Sequence, residues 1–128
     1  MNLLLDTSVL IDVLRSRKGR RELLARLANE GHSLATSTLN ATELYAGVRF
    51  GEEARTDQLL HSLLCYDMGC TTGVRAGMLI NDWGRKGKTI SLPDAVIAAI
   101  AIERGCTLVT DNRKDFPMPE LNLYPLPQ

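Results

Sequence analysis

The sequence predicts an α/β protein: one three-layer α/β/α domain, residues 1–128, around a short-stranded, mostly parallel central sheet. Three observations predict it. Short strand-like runs alternate with helical stretches, each run ends on residues that begin helices, and the stretch Leu92–Glu103 is apolar nearly all round, as a helix buried against a sheet must be.

The elements follow in order. Leu3, Leu4 and Leu5 form an apolar run that stops at Asp6, fitting a buried strand followed by helix-capping chemistry. From Ser8, Val9, Leu10, Val13 and Leu14 give a short apolar helical face, interrupted by a basic segment and Gly19; a second helix carries Leu23, Leu24 and Leu27 to about Asn29. After Gly31, Ser33–Thr38 reads as a second strand, and Asn40 opens a helix with Ala41, Leu44, Tyr45 and Val48 on one stripe and Glu43 in its first turn. A helix around Leu59, Leu60, Leu63 and Leu64 leads to a weak strand near Cys65–Met68. Val74–Lys86 reads as helix, with Gly84 and Gly87 marking its end. Gly105 caps the apolar helix, Cys106–Val109 is a continuous apolar strand, and Thr110–Asp115 is a polar turn rich in oxygen ligands. The tail, with Pro117, Pro119, Pro125 and Pro127 around Leu121, Leu123 and Tyr124, suggests a last short edge strand.

Composition bounds the function. Hydrophobic residues make up 45% and charged residues 23% of the chain, the profile of a folded domain rather than a disordered one. Met1–Leu5 is too short for a signal peptide or membrane span, so a cytoplasmic location is expected. Cys65, Cys70 and Cys106 show no metal-binding spacing and leave one cysteine over in any disulfide scheme, so reduced core residues are expected. Fifteen basic residues balance fifteen acidic ones, so no overall positive field draws the chain to nucleic acid. The basic residues cluster, however, at Arg15, Arg17, Lys18, Arg20 and Arg21 and again at Arg85, Lys86 and Lys88. The first cluster fits a solvated face as well as an RNA contact.

In an open parallel sheet the ligand site lies at the carboxyl ends of the strands, which is where Asp6, Glu43 and the turn after Val109 should fall. Each principal acid also has a plainer explanation. Asp6 can cap the helix that follows, and Asn40-x-x-Glu43 and Ser91-x-x-Asp94 have capping-box spacing. Capping alone gives no reason for these acids to share one edge, and carboxylates crowded together cost stability unless a cation neutralises them. Oxygen ligands without histidine or cysteine point to Mg²⁺ or Mn²⁺. His32 and His61 have no partner at ligand spacing and read as structural; Trp83 reads as core or dimer surface. There is no G-x-S-x-G, G-x-G-x-x-G or G-x-x-x-x-G-K-[ST] motif, and Ser8 stands where an aspartyl phosphatase places its second Asp.

The stretches Leu4–Asp12, Ala41–Leu44, Leu92–Ala99 and Leu108–Phe116 together resemble PIN domains, especially VapC-type toxins, and they occur in family order across nearly the whole chain. The resemblance implies a metal-dependent endoribonuclease in which Asp6, Glu43 and Asp94 coordinate Mg²⁺ or Mn²⁺, with Ser8 or Thr110 assisting. At the usual fourth acidic position the chain has Asn112, flanked by Asp111 and Asp115. Asn112 is a possible fourth metal ligand, Asp115 a possible fourth catalytic acid and Asp111 a secondary candidate. The resemblance further implies an RNA substrate, a homodimer, and an antitoxin whose tail enters the acidic cleft. The alternatives are a PIN nuclease of RNA processing or decay outside a toxin pair, and a non-cleaving binding module; retention of Asp6, Glu43 and Asp94 argues against the second.

Overall fold

The computed structural model describes residues 1–127. Strands β1 (Asn2–Leu5), β2 (Ser33–Ser37), β3 (Leu64–Tyr66) and β4 (Thr107–Val109) form one sheet in the order β3-β2-β1-β4, with every neighbouring pair parallel. The helices are α1 (Thr7–Leu14), α2 (Arg20–Asn29), α3 (Thr38–Ala46), α4 (Glu53–His61), α5 (Cys70–Arg85) and α6 (Leu92–Arg104), and a 3₁₀ turn spans Arg113–Asp115.

β1 is central, and its three leucines are fully buried. Strand alternation sends Leu4, with Ala35 of β2 and Leu108 of β4, into one core layer against α5 and α6. Leu3 and Leu5, with Val109, face the opposite layer among Val9, Leu10, Leu23, Leu24 and Leu27 of α1 and α2. The expected three layers are therefore present. An all-apolar strand is what a sheet covered on both faces requires. Helix α6 is buried from Ala95 to Ala101, in keeping with its uniformly apolar sequence, and stops at Gly105 in the left-handed conformation (φ 64°), where glycine carries no Cβ penalty.

Several boundaries differ from the sequence reading. Helix α3 begins at Thr38, capped by Ser37, so Asn40 lies inside the first turn and Glu43 in the second. Ser37 and Asn40 are both good caps; β2 decides between them, because its pairing with β3 continues to Ser37 opposite Tyr66. Helix α4 ends at His61, leaving Leu63 outside it and Leu64 in β3. Helix α5 starts at Cys70, four residues before Val74, and runs through Gly84; only Gly87 (φ 86°) marks its end. Among the described residues the tail forms no full strand. Leu123 makes a single parallel bridge to Leu108, since the flanking prolines lack the donors a ladder needs. Cys106 is buried, but Cys65 and Cys70 are exposed, so the expectation of three core cysteines holds for one; all three are free. Among the described residues no helix is long and apolar enough to cross a membrane.

Candidate functional site

The site is assembled where β1, β2 and β4 end. Asp6 follows β1 directly, and its backbone N–H donates to the Val109 carbonyl at 3.0 Å, continuing the β1–β4 edge. It caps α1: Oδ1 accepts from Thr7 N at 2.9 Å, while Oδ2 accepts from the Thr110 hydroxyl at 2.7 Å. Asp6 caps α1 through one oxygen while the other meets Thr110 at the strand ends, so the cap leaves it available to a site there.

Glu43 is brought to Asp6 by two side chains that the sequence reading passed over. Thr7 Oγ1 donates to Glu43 Oε1 at 2.8 Å. Asn40, wholly buried, donates from Nδ2 to Thr7 Oγ1 at 3.0 Å and approaches Asp6 Oδ1 at 3.5 Å. The Ser37 hydroxyl fixes the amide by donating to Asn40 Oδ1 at 2.6 Å. The chain Ser37–Asn40–Thr7–Glu43 thus ties the start of α3 to the start of α1. A buried asparagine with its amide satisfied on both sides has one orientation, and it passes that order to its neighbours. A buried polar residue three positions before a cluster acid was the available signal, and its capping propensity masked it.

Asp94 occupies the first turn of α6, where its backbone N–H donates to the Ser91 hydroxyl at 3.2 Å, as the capping spacing predicted. Its carboxyl is half-buried and lies in the electrostatic reach of Asp115 and Glu43, and Asp6 lies in that of Asp94 and Glu43. The Asp94 carboxyl is held above the usual aspartate range, by burial first and then by the neighbouring acids, against a hydrogen bond from Ser91 that lowers it. Asp6 is raised for the same leading reason, although the Thr110 and Thr7 bonds pull it down.

The loop after β4 sorts the remaining candidates. Thr110 is buried, and its hydroxyl both donates to Asp6 and accepts from Asn112 N at 3.0 Å. The Asn112 side chain is exposed, whereas Asp115, at the end of the 3₁₀ turn, is half-buried beside Asp94. Asp111 is drawn away from the acids into an ion pair with Arg20 at 2.9 Å. Ser8 Oγ is buried and has no hydrogen-bond partner. The basic segment is divided: Arg15 pairs with Glu52 at 3.3 Å and Arg20 is 3% exposed, whereas Arg17, Lys18 and Arg21 are exposed. His32 lies 3.0 Å from the amino terminus, His61 is exposed against the Asp57 carbonyl at 2.8 Å, and Trp83 packs on the α5–α6 core beneath Lys86.

Asp6, Glu43, Asp94 and Asp115 form no ion pair with Lys or Arg among the described residues, which leaves their mutual repulsion uncompensated by the chain itself. No three of them, among the described residues, close into a ready cage of metal ligands. That spacing still suits Mg²⁺, which keeps several of its waters and needs only one or two carboxylates directly. An all-oxygen donor set agrees with a hard divalent cation.

A family model described as the PIN domain matches residues 3–118. Ribonuclease VapC19 of Mycobacterium tuberculosis is 34% identical over 115 residues, spanning 90% of this chain and 92% of that protein. Among solved structures, a chain of VapBC2 from Rickettsia felis, bound to a DNA fragment from its promoter, superposes with a TM-score of 0.86 at 27% identity, covering 97% of this chain and 98% of its own. A toxin–antitoxin complex from Klebsiella pneumoniae gives a TM-score of 0.78 at 26% identity, over 93% and 94% of the two chains.

Proposed function

Because the chain belongs to the PIN-domain family, we propose that it is an endoribonuclease, the toxin of a toxin–antitoxin pair, hydrolysing RNA phosphodiester bonds with a divalent cation held by Asp6, Glu43 and Asp94. The observation that carries the site assignment is the delivery of four carboxylates, from four separate stretches of chain, to one end of the sheet with no basic partner among the described residues. RNA as substrate is supported by the ribonuclease relatives, and an antitoxin partner by the two toxin–antitoxin assemblies. We assign the fourth acidic role to Asp115 rather than Asn112, since Asp115 is the group electrostatically joined to Asp94. The cation is Mg²⁺ or Mn²⁺, the cell compartment the cytoplasm, and the assembly a homodimer.

When bound, the cation supplies an activated water and positive charge against the phosphodiester. The chain's own residues prepare for it. Thr110 and Thr7 N hold the Asp6 carboxylate by one bond to each oxygen, leaving further lone pairs free, and Thr7 fixes one oxygen of Glu43. Water attacks, so the ribose 2′-hydroxyl takes no part and the products carry a 5′-phosphate and a 3′-hydroxyl. Purified protein should cleave RNA with Mg²⁺ or Mn²⁺ and lose that activity in EDTA. Full cleavage in EDTA, or ends bearing a 2′,3′-cyclic phosphate, would reject the mechanism.

A further inference from the structure

Arg20 and Asp111 make an ion pair that the proposed chemistry does not use. Arg20 opens α2 and is 3% exposed, and its Nη2 donates to Asp111 Oδ1 at 2.9 Å. The same guanidinium reaches the Pro127 carbonyl at 3.3 Å from both Nη1 and Nη2, and the Lys18 carbonyl at 3.4 Å. Lys18 sends its ammonium to 3.8 Å from Asp111 Oδ2 and 3.8 Å from Asp12 Oδ2. The loop that allows this is strained: Ser16 and Lys18 have φ of 52° and 56°, a region non-glycine residues rarely occupy.

This pair is poorly arranged if its purpose is stability. Only one guanidinium–carboxylate hydrogen bond forms, the remaining Nη bonds going to the Pro127 and Lys18 carbonyls, and Arg20 Nε and Asp111 Oδ2 are buried without a hydrogen-bond partner, Lys18 standing 3.8 Å from the latter. A buried pair with unsatisfied atoms recovers little of its desolvation cost, whereas fixing a position is a use for which such pairs are retained. The position fixed here is next to the site. Asp111 follows Thr110, whose hydroxyl holds Asp6 at 2.7 Å, and precedes the turn that presents Asp115.

We infer that Arg20, acting through Asp111, is a positioning residue that clamps the Thr110–Asp115 loop in the geometry the acidic cluster requires. Arg20 therefore does not contact RNA, although it lies in a basic run. The inference rests on the metal-site reading above. It assigns a role to the pairing of α2 with the loop after β4, and sets Asp111 apart from the metal ligands.

Two full-length variants test it: Arg20→Lys, which keeps the charge but loses the planar fork, and Arg20→Met combined with Asp111→Leu, which replaces the pair by apolar groups that buried sites tolerate. Mn²⁺ affinity without RNA, from the free-ion electron paramagnetic resonance signal, should weaken about tenfold or more in both, the scale on which groups behind a metal ligand act. Amide hydrogen exchange of the metal-free protein should quicken in residues 110–116 while the β1 core stays protected. Folded variants with wild-type Mn²⁺ affinity and wild-type exchange in that loop would overturn the proposal, as would a loss confined to KM for RNA with altered salt dependence. A wild-type chain that binds no Mn²⁺ would sink the metal site instead, and loop exchange would then judge the clamp alone.

Discussion

Replacing Asp94 by asparagine separates its two roles. As a cap, the residue contributes its backbone N–H to Ser91, which any side chain leaves intact, and its carboxyl accepts from the Ser91 hydroxyl, a bond an asparagine amide oxygen can take over. The charge in the first turn of α6 adds about 0.3 to 1 kcal/mol through the helix dipole. Against this, the carboxyl is half-buried beside Asp115 and Glu43 and pays for burial and repulsion, both of which Asn removes. The terms oppose each other, so Asp94→Asn should change stability by no more than about 1 kcal/mol, or a few degrees in Tm for a domain of this size. Cleavage should fall about a hundredfold or more, roughly 2.7 kcal/mol of transition-state stabilisation, because a charge is lost where the cation binds. Stability is read from thermal melts in EDTA, cleavage from initial rates on a fluorogenic RNA under Mn²⁺. A variant that melts lower yet cleaves at the wild-type rate would show Asp94 to be only a cap and would refute the ligand assignment.

Further outcomes follow from the same geometry. Asp115→Asn should lower activity at least about tenfold, while Asn112→Asp should leave Mn²⁺ affinity nearly unchanged because Asn112 is exposed and Asp115 already stands beside Asp94; the reverse pattern in a metal titration would transfer the fourth role to Asn112. Thr110→Val removes the bond that lowers the Asp6 carboxyl, so stability should drop about 1 to 3 kcal/mol and the acid limb of the pH–rate profile should move to higher pH; a stationary limb would contradict the role given to that hydroxyl. In EDTA the raised carboxyls of Asp6 and Asp94 bind protons more tightly folded than unfolded. Their cost is therefore full at neutral pH and is relieved as pH falls through the raised values toward the ordinary aspartate range. Any stability advantage of Asp94→Asn over wild type should accordingly shrink on acidification, and one that grows would show the sign to be wrong.

The parallel sheet and its buried middle strand were legible because Leu3–Leu5 and Ala95–Ala101 carry no polar residue, a pattern that only two-sided burial explains. The places of Asp6 and Asp94 in the fold were legible because each follows a strand end or a capping serine at fixed spacing. Asn40 and Thr7 were not. Their roles depend on which of Ser37 and Asn40 starts α3, and pairing between β2 and β3, distant in sequence, decides that. Arg20 was hidden for the opposite reason. Within a run of basic residues it resembles solvated surface, and only the approach of Asp111, 91 positions later, marks it as buried.

The bond between Thr110 and Asp6 joins residues 104 positions apart, and β1 gains its β4 neighbour only at Thr107–Val109. During synthesis, at about 5 to 20 residues per second, β1 emerges well before β4, the partner strand on its other edge. An Asp6 carboxylate without Thr110, Asp94 or Asp115 has only Glu43 of the cluster near it. The acidic cluster therefore cannot assemble on a nascent chain until the residues through Asp115 have emerged.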